Sequence, residues 1–196
     1  LIARARARTL RGAATLLALL LAACATVAPQ APALSDAASA APTFELQGRL
    51  SARRGSEGGA ASFSWRHDAS TDEVDLSTPL GQTLARLTGD ARGVRAQWPD
   101  GRTLDARDWD ELTQRTLGVA IPVAGLSAWV RGIPREGSAS SVERDGQGRA
   151  SVLRQDGWEI VYTYPDDATR RASRLTLRYP GVEPTEVRLV LDRWEG

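Results

Sequence analysis

The sequence predicts a mainly β domain: an antiparallel sheet of about eleven strands that must curl, with two short helices laid across its open face. Three observations predict it. From Thr43 onward apolar residues recur at every second position. The alternating runs are short and are separated by clusters of Pro, Gly and Asp. Only between Asp105 and Gly132 does the apolar period lengthen to that of a helix.

Taken in order, Phe44, Leu46, Gly48 and Leu50 alternate with Glu45, Gln47, Arg49 and Ser51, the pattern of a strand buried on one face. Ala61, Phe63 and Trp65 alternate with Ser62, Ser64 and Arg66 in the same way. Shorter runs follow at Val74 to Leu76, Thr83 to Thr88, Val94 to Trp98 and Arg102 to Leu104, the last two joined by the turn signal Pro99-Asp100-Gly101. In the second half the runs are Ser140 to Arg144, Ala150 to Arg154, Trp158 to Tyr164, Arg174 to Tyr179 and Glu186 to Trp194. Asp145-Gly146, Asp156-Gly157 and Pro180-Gly181 are turn signals between them. These are consecutive antiparallel hairpins.

Between the two sets, Asp105 or Asp108 can cap a helix that places Trp109, Leu112, Thr116 and Val119 on one face and ends at Gly118. A second helix opens with Pro122 and carries Val123, Leu126, Trp129 and Val130 before Gly132. Whether the space under these helices is packed core or a ligand cavity is left open by periodicity alone.

Ahead of the domain the composition changes twice. Residues 1–11 are basic, with Arg4, Arg6, Arg8 and Arg11, and the apolar run Gly12 to Ala23 is shorter than the roughly 20 residues needed to span a bilayer. That is the pattern of an export signal over residues 1–23. It ends in Leu21-Ala22-Ala23-Cys24, which resembles the bacterial lipobox, so Cys24 is expected to carry an S-diacylglyceryl group and an N-acyl chain. Residues 24–42 then form the lipidated cysteine and a linker of Ala, Pro, Ser and Thr, too poor in large apolar side chains to fold. Its 18 residues after Cys24 span about 25 Å as a coil and up to about 55 Å if extended by its prolines. Ala25 is not the aspartate that in many Gram-negative bacteria retains lipoproteins in the inner membrane, so an outer-membrane location is expected.

Composition excludes several functions. With one His (His67) and one Cys in 196 residues, a Cys/His zinc site, a Cys-His pair and a Ser-His triad have almost no candidates. Every basic residue is Arg, so the phosphate-binding loop that ends in Gly-Lys is impossible. The net charge of +1 is due to the first segment; beyond residue 23 there remain 21 Arg against 24 acids, a net of −3 with no attraction for nucleic acid. Nothing in the sequence brings carboxylate pairs such as Asp72-Glu73, Asp166-Asp167 or Asp108 with Asp110 together across a cleft as hydrolysis needs; Asp166-Asp167 is read as a solvated loop, and His67 as a surface residue at a strand end.

Several segments, in order, resemble the outer-membrane lipoprotein receptor family LolB. They are Phe44-x-Leu46-x-Gly48-Arg49-Leu50, Ala61-Ser62-Phe63-Ser64-Trp65 and Leu76-Ser77-Thr78-Pro79-Leu80-Gly81-Gln82-Thr83. They continue with Ile121-Pro122-Val123, Leu126, Trp129-Val130-Arg131-Gly132, Pro134, Gln155-x-Gly157-Trp158-x-Ile160-x-Tyr162 and Arg188-Leu189-Val190-Leu191-Asp192-Arg193-Trp194. The resemblance covers residues 43–196 and implies an incomplete, open antiparallel β-barrel of about eleven strands, with α-helices as a lid over an apolar cavity. It implies a monomer that takes lipoproteins by their acyl chains from the periplasmic carrier LolA and inserts them into outer-membrane lipid, with no enzymatic activity, no metal and no cofactor beyond the lipid on Cys24.

The same resemblance assigns membrane insertion to the loop Pro79-Leu80-Gly81, with Leu80 exposed. The aromatic and aliphatic residues Phe63, Trp65, Leu87, Trp98, Trp109, Leu126, Trp129, Ile160 and Tyr162 are the candidates for the cavity wall. The alternative is a structural or assembly lipoprotein of the outer membrane, with a filled barrel and no acyl cargo.

Overall fold

The computed structural model describes residues 43–117, 121 and 123–196. The expected signal 1–23, Cys24, the linker to residue 42 and the helix positions Gly118, Val119 and Pro122 lie outside the described residues. Eleven strands form one sheet: β1 (Thr43–Arg54), β2 (Glu57–Asp68), β3 (Thr71–Ser77), β4 (Thr83–Asp90), β5 (Gly93–Gln97), β6 (Thr103–Ala106), β7 (Ser140–Arg144), β8 (Ala150–Gln155), β9 (Trp158–Thr163), β10 (Arg174–Tyr179) and β11 (Thr185–Glu195). Helices α1 (Trp109–Leu117) and α2 (Val123–Trp129) lie between β6 and β7. The order across the sheet is β6-β5-β4-β3-β2-β1-β11-β10-β9-β8-β7, with every neighbouring pair antiparallel.

Each alternating run of the sequence is a strand, but β1 and β2 run further than the apolar pattern does. They continue through Ser51 to Arg54 and from Glu57 to Ala60, paired Arg54↔Glu57 and Ala52↔Gly59. The pattern fades there because these inward positions stand at an open rim rather than in a core. Asp108, not Asp105, caps α1: its carboxylate accepts from the Glu111 amide at 2.7 Å.

Three hairpin turns are built alike. In each, a glycine with positive φ donates back to the carbonyl three residues before it: Gly81 to Thr78 (2.9 Å), Gly101 to Trp98 (3.0 Å) and Gly148 to Asp145 (3.0 Å). In the last of these turns the left-handed position falls on Gly148. The residue before each glycine is Leu80, Asp100 and Gln147 respectively. The turn geometry therefore accepts a polar residue there, and the leucine is not required by the fold.

The main core lies on the concave face, where Leu46, Leu153, Ile160, Leu175 and Leu177 are fully buried. A smaller cluster packs Trp109 and Leu112 of α1 on Val94 and Ala96 of β5. The convex face carries cross-strand pairs such as Arg49 with Asp192, Arg86 with Asp75 and Arg95 with Asp105. All are exposed, so they keep this face in water and add little stability.

Two glycines make this packing possible. At Gly48 the β1–β11 register shifts by a bulge, and a Cβ there would lie 2.0 Å from the Val190 carbonyl oxygen. At Gly89 a Cβ would lie 2.7 Å from the Trp109 indole, which rests directly on the strand and seats α1. Gly89→Ala should cost about 1–3 kcal/mol in denaturant unfolding, since only α1 must shift. Gly48→Ala should cost more, because the obstacle is backbone in the middle of the sheet. An equal or reversed order of the two losses would contradict the placement of α1 on Gly89.

Candidate functional site

Between the sheet and the helices lies a cavity of about 550 Å³, within the usual size range of ligand sites. Its floor is the concave face of β1, β2, β3, β4 and β11, with Leu46, Phe63, Val74, Leu87 and Leu189 among the lining residues. Trp109, Thr113 and Thr116 of α1, then Ile121, Val123, Leu126 and Val130, form the roof. The lining reaches the β1–β2 hairpin, where Arg53, Arg54, Glu57, Gly58 and Gly59 surround the mouth. The polar groups of the roof are satisfied: Thr113 Oγ1 donates to the Trp109 carbonyl at 2.8 Å and accepts from the Ile121 amide at 2.7 Å.

Gly59 is in extended backbone within β2, and a Cβ added there would meet nothing within 4 Å. Alternation puts it on the same face as Ala61, Phe63 and Trp65. The mouth is thus left open by a residue that sterics does not require to be glycine.

The structure divides the nine expected wall residues. Phe63, Trp65, Leu87, Trp109 and Leu126 line the cavity. Trp98, Trp129, Ile160 and Tyr162 do not, for reasons that differ. Trp98 packs on the small cluster and lies under the Arg102 guanidinium, 5.4 Å from its ring centre. Ile160 and Trp129 are fully buried in the main core. Trp129 is held from both sides: its Nε1 donates to Gln155 Oε1 at 2.8 Å, and its carbonyl accepts the Tyr162 hydroxyl at 2.8 Å. Burial pushes the Tyr162 pKa well up, so this hydroxyl stays a donor. These contacts fasten α2 to β8 and β9, and their residues position the roof without forming the wall. Tyr162 instead borders a smaller cleft of about 320 Å³ with Tyr164 and Arg171.

Gln155 carries more of this arrangement than its residue type announces. Its amide nitrogen donates to the Arg135 and Ser138 carbonyls at 2.9 and 3.2 Å, while its oxygen also accepts from the Arg135 amide at 2.9 Å. In the sequence Gln155 appears only as the first residue of the segment Gln155-x-Gly157-Trp158, next to a turn, with nothing to mark this role.

One other expectation needs correction. His67 is buried, because it occupies an inward position of β2; Phe44 stacks on its ring and its Nδ1 lies 2.9 Å from Asp72 Oδ1. That same oxygen accepts the Trp65 indole N–H at 2.7 Å, so Asp72 is a buried acceptor holding two rings. Of the other carboxylates, Glu73 pairs with Arg66, Asp108 caps α1, and Asp166 accepts from the Ala168 and Thr169 amides.

Leu80 stands on the β3–β4 turn at 91% exposure. Pro79 precedes it, Gly81 follows with φ 83°, and the Gln82 amide donates to Thr78 Oγ1 at 3.1 Å, so the turn is fixed and its apolar tip projects.

The family model described as outer membrane lipoprotein LolB matches residues 42–194. The outer-membrane lipoprotein LolB of Cupriavidus necator is 39% identical over 180 residues, covering 89% of this chain and 90% of that protein. Those of Thiobacillus denitrificans and Chromobacterium violaceum are each 37% identical, covering 88% and 91% of this chain and 90% and 95% of theirs. Among solved structures, a LolA superfamily protein from Nitrosomonas europaea aligns with a TM-score of 0.48 at 10% identity, over 79% of this chain and 86% of that one.

The division of the wall residues is open to test with a fluorescent apolar probe and thermal melting. Leu126→Gln should weaken probe binding about tenfold, by removing apolar contact from the roof, with a small loss of stability. Trp129→Ala should cost about 3–5 kcal/mol of stability, as loss of a buried ring. If Leu126→Gln instead unfolds the protein as Trp129→Ala does, Leu126 belongs to the core.

Proposed function

Because this chain belongs to the LolB family of outer-membrane lipoproteins, we propose that its cavity accepts the acyl chains of lipoproteins from the periplasmic carrier LolA and that its β3–β4 turn passes them to the outer membrane. The family is one of lipoprotein localisation, held at the outer membrane by a lipid anchor, and is not a family of enzymes. Cys24 is the residue that would carry that anchor, through an S-diacylglyceryl group and an N-acyl chain, and the 25–42 linker would tether the domain to it.

The observation that supports this reading most is the apolar cavity itself, walled by Leu46, Phe63, Leu76, Leu126 and Leu189 and open at the β1–β2 end. An acyl chain loses about 0.8 kcal/mol for each methylene exposed to water, on the order of 10 kcal/mol for a whole chain. Cargo therefore has to move from one apolar enclosure to the next, not through solvent. No lysine is present to build a nucleotide-binding phosphate loop, so direction has to come from relative affinity: weaker in the donor, stronger in this cavity, strongest in the bilayer. The cavity under α1 and α2 supports the cargo-binding reading over that of a filled barrel.

Leu80→Glu should separate the two steps. The leucine gains about 1.5–3 kcal/mol on entering an apolar phase, and a glutamate reverses that preference while leaving the cavity wall intact. The variant is expected to take a lipoprotein from LolA at the normal rate and to leave it undelivered when liposomes are added. Delivery at the normal rate, or failure already at acceptance, would overturn the assignment. Cys24→Ala should yield an unanchored protein that still takes cargo from LolA; failure to do so would mean that the anchor is part of the receiving site.

A further inference from the structure

We infer that the β10–β11 loop is a second contact with the phospholipid bilayer, made through Val182, and that it works with Leu80 to seat the cavity mouth against the membrane. The inference rests on the proposed delivery function and adds to it an orientation.

Five large apolar side chains are exposed among the described residues: Leu80, Leu84, Ile133, Tyr179 and Val182. Four of them sit on or beside two connections, β3–β4 and β10–β11. The strand registers put both connections at the same end of the sheet as the β1–β2 hairpin, since Ser77 pairs with Ser62 and Thr83, and Thr185 with Arg54 and Tyr179. That is also the end at which the cavity opens. Scattered exposed apolar residues mean little, but a cluster at the rim of an apolar cavity marks a surface meant to be covered.

Val182 is the most exposed of them at 106%, against 91% for Leu80. Its loop is held in place: Pro180 and Pro184 bracket it, the Gly55 amide donates to the Pro184 carbonyl at 3.3 Å, and Arg54 pairs with Glu183 at 3.0 Å. The pair neutralises the one acid of the loop, so the tip presents valine to an anionic surface without a free like charge beside it. Leu80 and Val182 lie four strand spacings apart, about 20 Å across the sheet, with the β1–β2 hairpin between them. Two apolar points on opposite sides of a mouth define how it faces a plane; one does not.

The tether permits this orientation. The domain begins at Thr43, paired with Asp68 at the opposite end of the sheet from the mouth. β1 has 12 residues and is about 40 Å long. A linker of 18 residues reaching up to about 55 Å is long enough for the anchor and the mouth to meet the same bilayer. A bilayer is therefore the occupant that fits: planar, apolar beneath its headgroups, and within reach.

The test uses the full chain with Cys24→Ser and a single new cysteine carrying an environment-sensitive fluorophore, at Leu80→Cys, Val182→Cys or Gln147→Cys. Gln147 occupies the matching position of a similar turn at the far end of the sheet. On adding vesicles of phosphatidylethanolamine and phosphatidylglycerol, the labels at positions 80 and 182 should both shift to the blue and the label at 147 should not. Val182→Asp, unlabelled, should lower the vesicle-bound fraction about tenfold without changing the melting temperature. A shift at 80 but not at 182 overturns the second contact and leaves the delivery reading intact. Shifts at neither position overturn both, and equal shifts at all three show association without orientation and overturn the inference.

Discussion

The whole arrangement depends on one constraint of connectivity: β6 and β7 are consecutive strands of the chain, yet they stand at the two opposite edges of the sheet. The segment that joins them has to travel from edge to edge, and the concave face is where its apolar side chains can be buried. Helices α1 and α2 are that crossing. Each is fastened near the edge it came from or goes to: α1 by Trp109 resting on Gly89 and by Arg115 donating to the Asp105 carbonyl at 2.9 Å, α2 by Trp129 on Gln155 and Tyr162. The two attachments fix the span of the roof, and the space beneath its middle, over β1, β2, β3 and β11, stays open as the cavity. The sheet has no need to close into a full barrel because the crossing covers its concave side.

The proposed function depends on that space being apolar. Polar groups near it are paired off: Thr113 by backbone partners, and at the far end Asp72 by the rings of Trp65 and His67. Among the described residues no buried side-chain polar atom is left without a partner, which is what the proposed acyl ligand requires. The convex face, by contrast, is covered with arginine–carboxylate pairs and stays in water. Four of the five exposed large apolar side chains among the described residues lie on or beside connections at the mouth end, where in the proposed function cargo would leave protein for lipid.

The sheet was legible in the sequence because alternation and turn residues report directly on strands with one wet face, and all eleven runs are strands. The helices were legible for the same reason at a different period. The wall of the cavity was only half legible. Residue type does not distinguish an aromatic that faces a void from one that faces another side chain, so Trp129, Ile160 and Tyr162 looked the same as Phe63, Trp65 and Trp109. Inner-face residues of β1 and β11 such as Leu46 and Leu189 were passed over because they are ordinary aliphatics in ordinary strands. His67 was misread from its place near a turn, when its parity with Phe63 and Trp65 already put it inside. Val182 and Gly59 matter only through where the topology puts them, beside a mouth that no local pattern announces.

The proposed binding site is the enclosed apolar space, entered at the β1–β2 end. Gly59 permits a direct test, since its backbone is extended and a side chain there would point into open space at the mouth. Titration of a fluorescent fatty acid against the wild-type protein and Gly59→Trp, with melting curves for both, is the measurement. The account predicts an unchanged melting temperature and loss of most fatty-acid binding in the variant. Unchanged binding by a Gly59→Trp protein that melts normally would show that the ligand enters or sits elsewhere, and would contradict it.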